Sequence, residues 1–231
     1  MATNYSPKIV TDGLVIYLDA ADKNTYSSGS TTWSDLSGNG YDGVLSRGTI
    51  GTVSGSENVM SFNGDDEYIT ISNRPTRAED DPATQECWCQ IHEMTWTGLV
   101  SEHSYTTGFT VYPNGTSGGF HIYIDEDASA ELNTSGNYVT GSDGRSDWMH
   151  MCCTFGDGAN TLKLYVDGQL VGTSTSITAR VPATTTTHLG ADTALNYYLK
   201  GSMATYRHYH KALSAKEVLE NFNAQRSRFG V

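Results

Sequence analysis

The sequence predicts an all-β chain of short antiparallel strands with one helix near its C-terminus. Three observations carry that prediction. Apolar and polar residues alternate at period two in several short segments, the pattern of strands with one face on a core. Only 17% of the 231 residues are charged and 24 are glycine. With abundant threonine, this is the composition of short strands joined by many turns and not of a helical bundle. A single helix-start signal, Ser214-Ala215-Lys216-Glu217, stands near the end.

In chain order, residues 1–12 form a short N-terminal arm, and Met1–Lys8 has no hydrophobic periodicity. Gly13–Asp19 is a short apolar strand, expected to be buried on both faces. Asp22, Asn24 and the Ser-Ser-Gly-Ser run make a loop. Thr32–Gly43 is dense in Gly, Asn and Asp, which predicts turns throughout. Asn58–Phe62 and Glu67–Ile71 read as strands flanking Asn63-Gly64-Asp65-Asp66. Arg74–Pro82 is a polar loop. Glu86–Ile91, Leu99–His103, Phe109–Tyr112 and Gly119–Ile124 are further strands, and Asp125–Gly136 is an acidic, Ser-rich loop.

Trp148–Gly172 is the most strongly patterned stretch. Met149, Met151, Cys153 and Phe155 fall on one face of a strand, and Trp148, His150, Cys152 and Thr154 on the other. Leu162, Leu164 and Val166 then alternate with Thr161, Lys163 and Tyr165. Asp167-Gly168 suits a two-residue hairpin, whose primed turn needs positive φ at both central residues. That turn sets Val166 opposite Gln169, Tyr165 opposite Leu170 and Leu164 opposite Val171. Thr184–Leu189 and Lys200–Tyr209 are the last strands.

The helix is expected over about 214–226. In its capping box the Ser214 hydroxyl accepts from the Glu217 amide while the Glu217 side chain reaches back. Leu213 precedes the cap and can staple against Val218. Val218, Leu219 and Phe222 give one apolar stripe.

Several of these segments carry a family resemblance. They are Gly13-Leu-Val-x-Tyr-Leu-Asp-Ala-Ala21, Thr32-Trp-x-Asp-Leu-Ser-Gly-Asn-Gly40 and Ser61-Phe-Asn-Gly-x-Asp-x-Tyr-Ile69. Trp148-x-His150, Leu162-Lys-Leu-Tyr-Val-Asp-Gly-x-Leu-Val-Gly172 and Lys211-Ala-Leu-Ser-Ala-x-Glu-Val218 follow, and Asn221-Phe-Asn-Ala-Gln-Arg-x-Arg-Phe-Gly230 closes the set. Together they resemble the laminin G-like, concanavalin A-like domains found as virion structural proteins of tailed bacteriophages, cyanophages especially. The resemblance implies a two-sheet antiparallel jelly-roll sandwich, a single domain over residues 1–231. It implies capsid decoration or a tail-fibre role, a location in the virion after synthesis in the host cytoplasm, and other virion proteins and host-surface glycans as partners. An oligomeric or assembly-bound state goes with it. An ordered polar end needs contacts that offset about 1–2 kcal/mol of backbone entropy per residue. The arm, or the tail around Phe229, is therefore expected to touch another chain. At Ala204-Thr205 many relatives have Asp-Glu, so a site built on those carboxylates is in doubt here.

Composition excludes several classes. A net charge of −12 argues against nucleic acid and anionic membranes as partners, since both select basic patches. No apolar run approaches the roughly 18 residues of a membrane span, so no membrane insertion is expected. The start lacks a basic segment followed by an apolar one, so no secretory signal is expected. Cys87, Cys89, Cys152 and Cys153 have apolar or aromatic neighbours and the wrong spacing for a zinc site, which makes them small core residues and free thiols.

No nucleophile motif surrounds any of the seven histidines. His150 reads as a structural histidine. His208 and His210 share a strand face but lack a third ligand. Laminarinase-type glycosidases carry Glu-x-Asp-x-Glu on a strand; the nearest run here, Asp125-Glu126-Asp127, opens a loop. Two turns offer oxygens of the kind calcium takes: Asp35 with Asn39 and Asp42, and Asn63 with Asp65 and Asp66. The same residues also make Asx turns without a cation. Tyr41, Tyr105, Tyr112, Tyr123, Tyr138, Tyr197 and Tyr198 are the candidate exposed aromatics. Of these Tyr105, Tyr112, Tyr123, Tyr197 and Tyr198 are the residues expected to touch a glycan or a neighbouring subunit, since tyrosine has an apolar body and a polar tip.

The function expected is a non-enzymatic phage virion protein with a lectin-like adhesion or stabilisation module. The alternatives are a free glycan-binding lectin, with or without calcium, and a laminarinase-type glycoside hydrolase. A lectin predicts an aromatic-lined face, a cement protein a large intersubunit surface, and a hydrolase a close carboxylate pair.

Overall fold

The computed structural model describes residues 8–27, 29–46, 59–75, 81–93, 97–102, 109–114, 119–124, 131–134, 146–156, 161–175, 185–192 and 194–231. The expectations for Met1–Pro7, Tyr105, Tyr138 and Asp125-Glu126-Asp127 lie outside these residues.

Within them are β1 (Leu14–Asp19), β2 (Thr32–Trp33), β3 (Gly43–Ser46), β4 (Met60–Asn63), β5 (Tyr68–Ile71), β6 (Ala83–Ile91), β7 (Val100–Glu102) and β8 (Phe109–Asn114). There follow β9 (Gly119–Ile124), β10 (Glu131–Asn133), β11 (Met149–Phe155), β12 (Leu162–Val166), β13 (Gln169–Ser174), β14 (Thr187–Leu189), β15 (Lys200–Tyr209) and α1 (Ala215–Phe229). The strands form two antiparallel sheets. One has seven strands in the order β1-β15-β6-β11-β12-β13, with β4 also beside β15. The other has eight, in the order β10-β9-β8-β7-β14-β5-β3-β2. The two halves of β15 take different partners on one edge: Thr205–Tyr209 pairs with β1 and Lys200–Met203 with β4. β4 and β5 belong to different sheets, so the Asn63–Asp66 turn carries the chain across the sandwich.

Alternation builds the core. Cys87, Cys89 and Ile91 of β6, the four β11 residues Met149, Met151, Cys153 and Phe155, and Met203 and Tyr206 of β15 meet Ile69, Ile71, Val100, Val111, Phe120, Ile122 and Leu189 of the other sheet. Each large apolar side chain buried this way contributes about 1.5–3 kcal/mol. All four cysteines are buried and unpaired.

β11 departs from the one-faced pattern, because all seven of its residues are buried. The reason is α1, which lies on the outer side of the seven-stranded sheet. Cys152, Tyr165, Tyr209, Leu213 and Val218 form one cluster there, and Val59, Trp88, Ala204 and Phe222 another. The capping box at Ser214 and Glu217 forms in both directions, and the helix ends on Gly230 in the left-handed region at φ 75°. It runs to Phe229, three residues past the expected end. Its buried stripe is Val218, Asn221 and Phe222, while Leu219 is exposed.

Asp167 and Gly168 have φ 50° and 75°, as the hairpin turn requires. Val166 pairs with Gln169 and Tyr165 with Leu170, but Leu164 pairs with Gly172 and not with Val171. Val171 is the extra residue of a β-bulge, so the expected register holds for two pairs and fails at the third from the turn. β2 interrupts the predicted run of turns: Thr32 and Trp33 pair with Val44 and Gly43, and Trp33 is fully buried. β10 lies inside the predicted acidic loop. Two or three residues are too few to show a period. Tyr41 packs against the core and is not an exposed aromatic.

Candidate functional site

Among the described residues no helix lies on the outer side of the eight-stranded sheet. One register position crosses all eight of its strands: Glu131, Tyr123, Thr110, Ser101, His188, Thr70, Val44 and Thr32. The adjacent position reads Leu132, Ile122, Val111, Val100, Leu189, Ile69 and Leu45. Successive residues alternate sides: Ile122, Val111, Val100, Leu189 and Ile69 of the adjacent position lie in the core, while on the other side Thr32, Thr70 and His188 are half-buried, Val44 is exposed and Ser101 is fully buried. Of the expected tyrosines, Tyr123 pairs with Thr110 and Tyr112 with His121.

At the β5–β14 end of this side three rings form a corner. The Tyr68 ring lies 5.3 Å from His188, tilted by 57°, and 6.2 Å from Tyr198, tilted by 48°. All three side chains are half-buried. Tyr197, next to Tyr198, is 49% exposed. The loop carrying these tyrosines is held from within. The fully buried Asp192 accepts through Oδ1 from the amides of Asn196 at 2.7 Å and Tyr197 at 3.0 Å, and its own amide donates to the Tyr197 carbonyl. Gly98 permits this loop to close: a Cβ there would lie 2.1 Å from the Asp192 nitrogen. His188 Nδ1 faces the Asp192 carbonyl oxygen at 3.4 Å. Burial lowers the His188 pKa below its ordinary value and outweighs that carbonyl, so the imidazole is neutral at pH 7.

Of the tyrosines expected to touch a ligand, the structure thus joins Tyr198 to a cluster and exposes Tyr197 beside it. Tyr68, His188 and Asp192 are functional candidates that sequence reading missed. They come from β5, β14 and a loop more than 100 residues apart from β5, and only strand pairing brings them together.

The two acidic turns each come together, closed by their own donors. Asp35 accepts through Oδ1 from the amides of Tyr17 and Ser37, both at 2.9 Å, and through Oδ2 from the Ser37 hydroxyl at 2.7 Å and the Tyr41 amide at 3.1 Å. Asp42 accepts from the Asp35 amide, and Asn39 donates to the Val15 carbonyl. Asn63 Oδ1 accepts from the amides of Asp65 and Asp66, while its Nδ2 donates to Asp66. Among the described residues, no group of three or more His, Cys, Asp or Glu is placed to hold a metal.

Two buried glutamates, Glu86 and Glu102, take cationic partners. Under α1, Glu86 Oε1 lies 2.8 Å from Arg207 Nη1 and accepts from Asn221 Nδ2 at 2.9 Å, and its Oε2 lies 3.3 Å from His150 Nε2. Burial alone would raise the Glu86 pKa, but Arg207 and His150 outweigh it and hold the carboxyl down at about 2. Arg207 also donates to Gln225 of α1. His150 is therefore fully buried within this network. Between the sheets, Glu102 lies 3.1 Å from Arg74 and 3.4 Å from His208, and the His208 and His210 rings meet edge to face at 5.4 Å.

The fold is shared with toxin domains. The binding domain of Paraclostridial Mosquitocidal Protein 1 superposes with a TM-score of 0.69 at 16% identity, covering 93% of this chain and 52% of that one. The botulinum neurotoxin serotype D ligand binding domain, solved in complex with N-acetylneuraminic acid, gives 0.67 at 15%, covering 94% and 52%. Botulinum neurotoxin type C, whose cell entry depends on two ganglioside molecules, gives 0.67 at 14%, covering 93% and 52%. The chain spans about half the length of these structures. No curated protein matches its sequence. The family model of the concanavalin A-like lectin/glucanases superfamily matches residues 63–219, and the chain belongs to that family.

Proposed function

We propose that this protein is a non-enzymatic, lectin-like adhesion module of a tailed-bacteriophage virion, and that it binds host-surface glycans through the open side of the eight-stranded sheet. The observation that carries the binding role is the asymmetry of the sandwich. One sheet has its outer side covered by α1, and the other carries the half-buried corner of Tyr68, His188 and Tyr198 beside the exposed Tyr197. Aromatic rings with polar tips supply rigid contact area at low entropic cost. Glu86 and Glu102, both buried and each matched to an arginine, agree with a role other than hydrolysis. The virion setting rests on the sequence motifs at both ends of the chain. Two measurements test the proposal together. Antibody against the chain should decorate purified particles of the phage that encodes it, and the isolated protein should bind a glycan array. Unlabelled particles would refute the virion role, and a blank array would refute glycan binding.

A further inference from the structure

We propose that β13 is the docking edge for a second copy of this chain, so that two seven-stranded sheets join antiparallel across a two-fold axis.

The sheet edges are treated unequally. An edge strand presents unpaired amides and carbonyls, and proteins blunt such edges by covering, shortening or charging them. The β1 edge is covered by the Asp35 turn. Asp35 accepts from the Tyr17 amide, the Tyr17 carbonyl accepts from the Leu36 amide at 2.7 Å, and the Val15 carbonyl accepts from the Ser37 hydroxyl at 2.7 Å and from Asn39 Nδ2 at 2.9 Å. The edge strands β2, β10 and β4 are two, three and four residues long. β13 has six residues, Gln169–Ser174, with neither a charge nor a proline, and among the described strands it pairs with β12 alone. Leu170 is 52% exposed and Val171 37%. Leu170 pairs with Tyr165 and Thr173 with Lys163; Tyr165 packs in the cluster under α1, so Leu170 and Thr173 lie on the α1 side of the sheet. There Leu219, 39% exposed, lies over Gly168 and carries the apolar strip onto the helix.

Three features fit a copy of the same chain as the occupant. Copies that each carry −12 repel one another, and an uncharged strand is where they approach at least cost. A strand paired antiparallel with itself is matched in length, and each copy donates as many bonds as it accepts. The covered β1 edge blocks head-to-tail growth, whereas pairing across a two-fold consumes both β13 edges and closes the assembly. That axis stands perpendicular to the joined sheet. Both α1 helices then lie on one side and both eight-stranded sheets on the other, so the side proposed to bind glycans is presented twice in one direction. The dimer itself does not rest on the glycan reading. Its interface is small, below about 1,200 Å² in total, which sets a weak, concentration-dependent association.

Sedimentation velocity of the full chain between about 1 and about 100 μM tests the proposal, and wild type should pass from monomer to dimer within that range. Leu170→Lys and Thr173→Lys put like charges across the two-fold and should each weaken the dimer at least about tenfold. Lysine lowers the net negative charge, so the loss cannot come from greater overall repulsion. Both positions are exposed, and both variants should melt as wild type does. Leu170→Ser removes apolar area without adding charge and should weaken the dimer a few-fold. Val44→Lys, at a residue 50% exposed on the other sheet, is the matched control and should dimerise as wild type. Wild type that stays monomeric at the highest concentration would overturn the proposal. So would a dimer that survives both lysine variants, or growth into larger assemblies in place of a closed pair.

Discussion

Phe229 stacks on Trp88 with ring centroids 4.1 Å apart and an interplanar angle of 16°. Trp148 closes the other side of Phe229 at 5.1 Å. The tail that the sequence left looking for another chain thus has a partner in its own sheet. Trp88 is fully buried, so the last turn of α1 completes the cover over β6 and β11. Phe229→Ala should destabilise the fold by about 2 kcal/mol, less than a fully buried Phe because the ring is only half-buried. The midpoint of urea unfolding should fall without a change in slope. An unchanged midpoint would mean that the Phe229–Trp88 stack adds nothing to stability.

The Glu86 network predicts acid sensitivity. Its carboxyl titrates at about 2 in the fold, against an ordinary 4.5. As pH falls the unfolded chain takes up this proton first, so the contribution is complete above about pH 4.5 and is lost toward pH 2. A shift of that size is worth on the order of 3 kcal/mol. Unfolding midpoints should be level from pH 7 to about pH 5 and then drop through pH 4 and 3. Glu86→Gln leaves Arg207 buried without its counter-charge and should cost roughly 3–5 kcal/mol at pH 7, with a flatter acid limb. A variant as steep as wild type would assign the acid limb to other groups.

Asp35 predicts the response to calcium. Its carboxylate already accepts four donors from β1 and the following turn. Asp35→Ala should therefore destabilise by about 2–4 kcal/mol with or without calcium, because bonds to a charged acceptor are worth about 1.5–3 kcal/mol each and are not additive. Wild-type melting should move little between millimolar calcium and excess EDTA. A calcium-dependent rise that Asp35→Ala abolishes would establish a cation site at this turn.

Gly168 predicts how tightly the hairpin and helix are coupled. Its φ is 75°, and a Cβ would come within 2.9 Å of Leu219 Cδ1 and 3.3 Å of Phe222 Cδ1. Gly168→Ala should cost about 1–2 kcal/mol, from the strained turn and the displaced helix together. Hydrogen exchange should show faster opening of α1 than of β11. Equal effects on both would mean that the helix does not open separately.

The cysteines predict slow chemistry. Burial, first of all, raises the Cys152 and Cys153 pKa values well above the ordinary thiol range; for Cys87 the neighbouring Cys89 acts alongside burial. Alkylation of native protein at pH 8 should be negligible over the time in which denatured protein takes up four labels. Fewer than four in denaturant would show a disulfide.

The sequence by itself determined the local elements. Period two in Met149–Phe155, the Asp167-Gly168 turn and the Ser214–Glu217 box each need only neighbours a few residues apart, and each formed. It also carried the family, because the matching segments are contiguous. Only the tertiary structure decided what depends on pairing at long range. Val171 became a bulge in the pairing of β13 with β12, which no local pattern records. β11 became buried on both faces because α1, some 60 residues later, lies across it. The Asp35 turn folded onto the Tyr17 amide, which decided the use of its carboxylate. The corner of Tyr68, His188 and Tyr198 exists because β5 pairs with β14 and the Asp192 loop returns beside them. Sequence spacing is blind to such a site: its residues are neighbours across hydrogen bonds between strands and not along the chain.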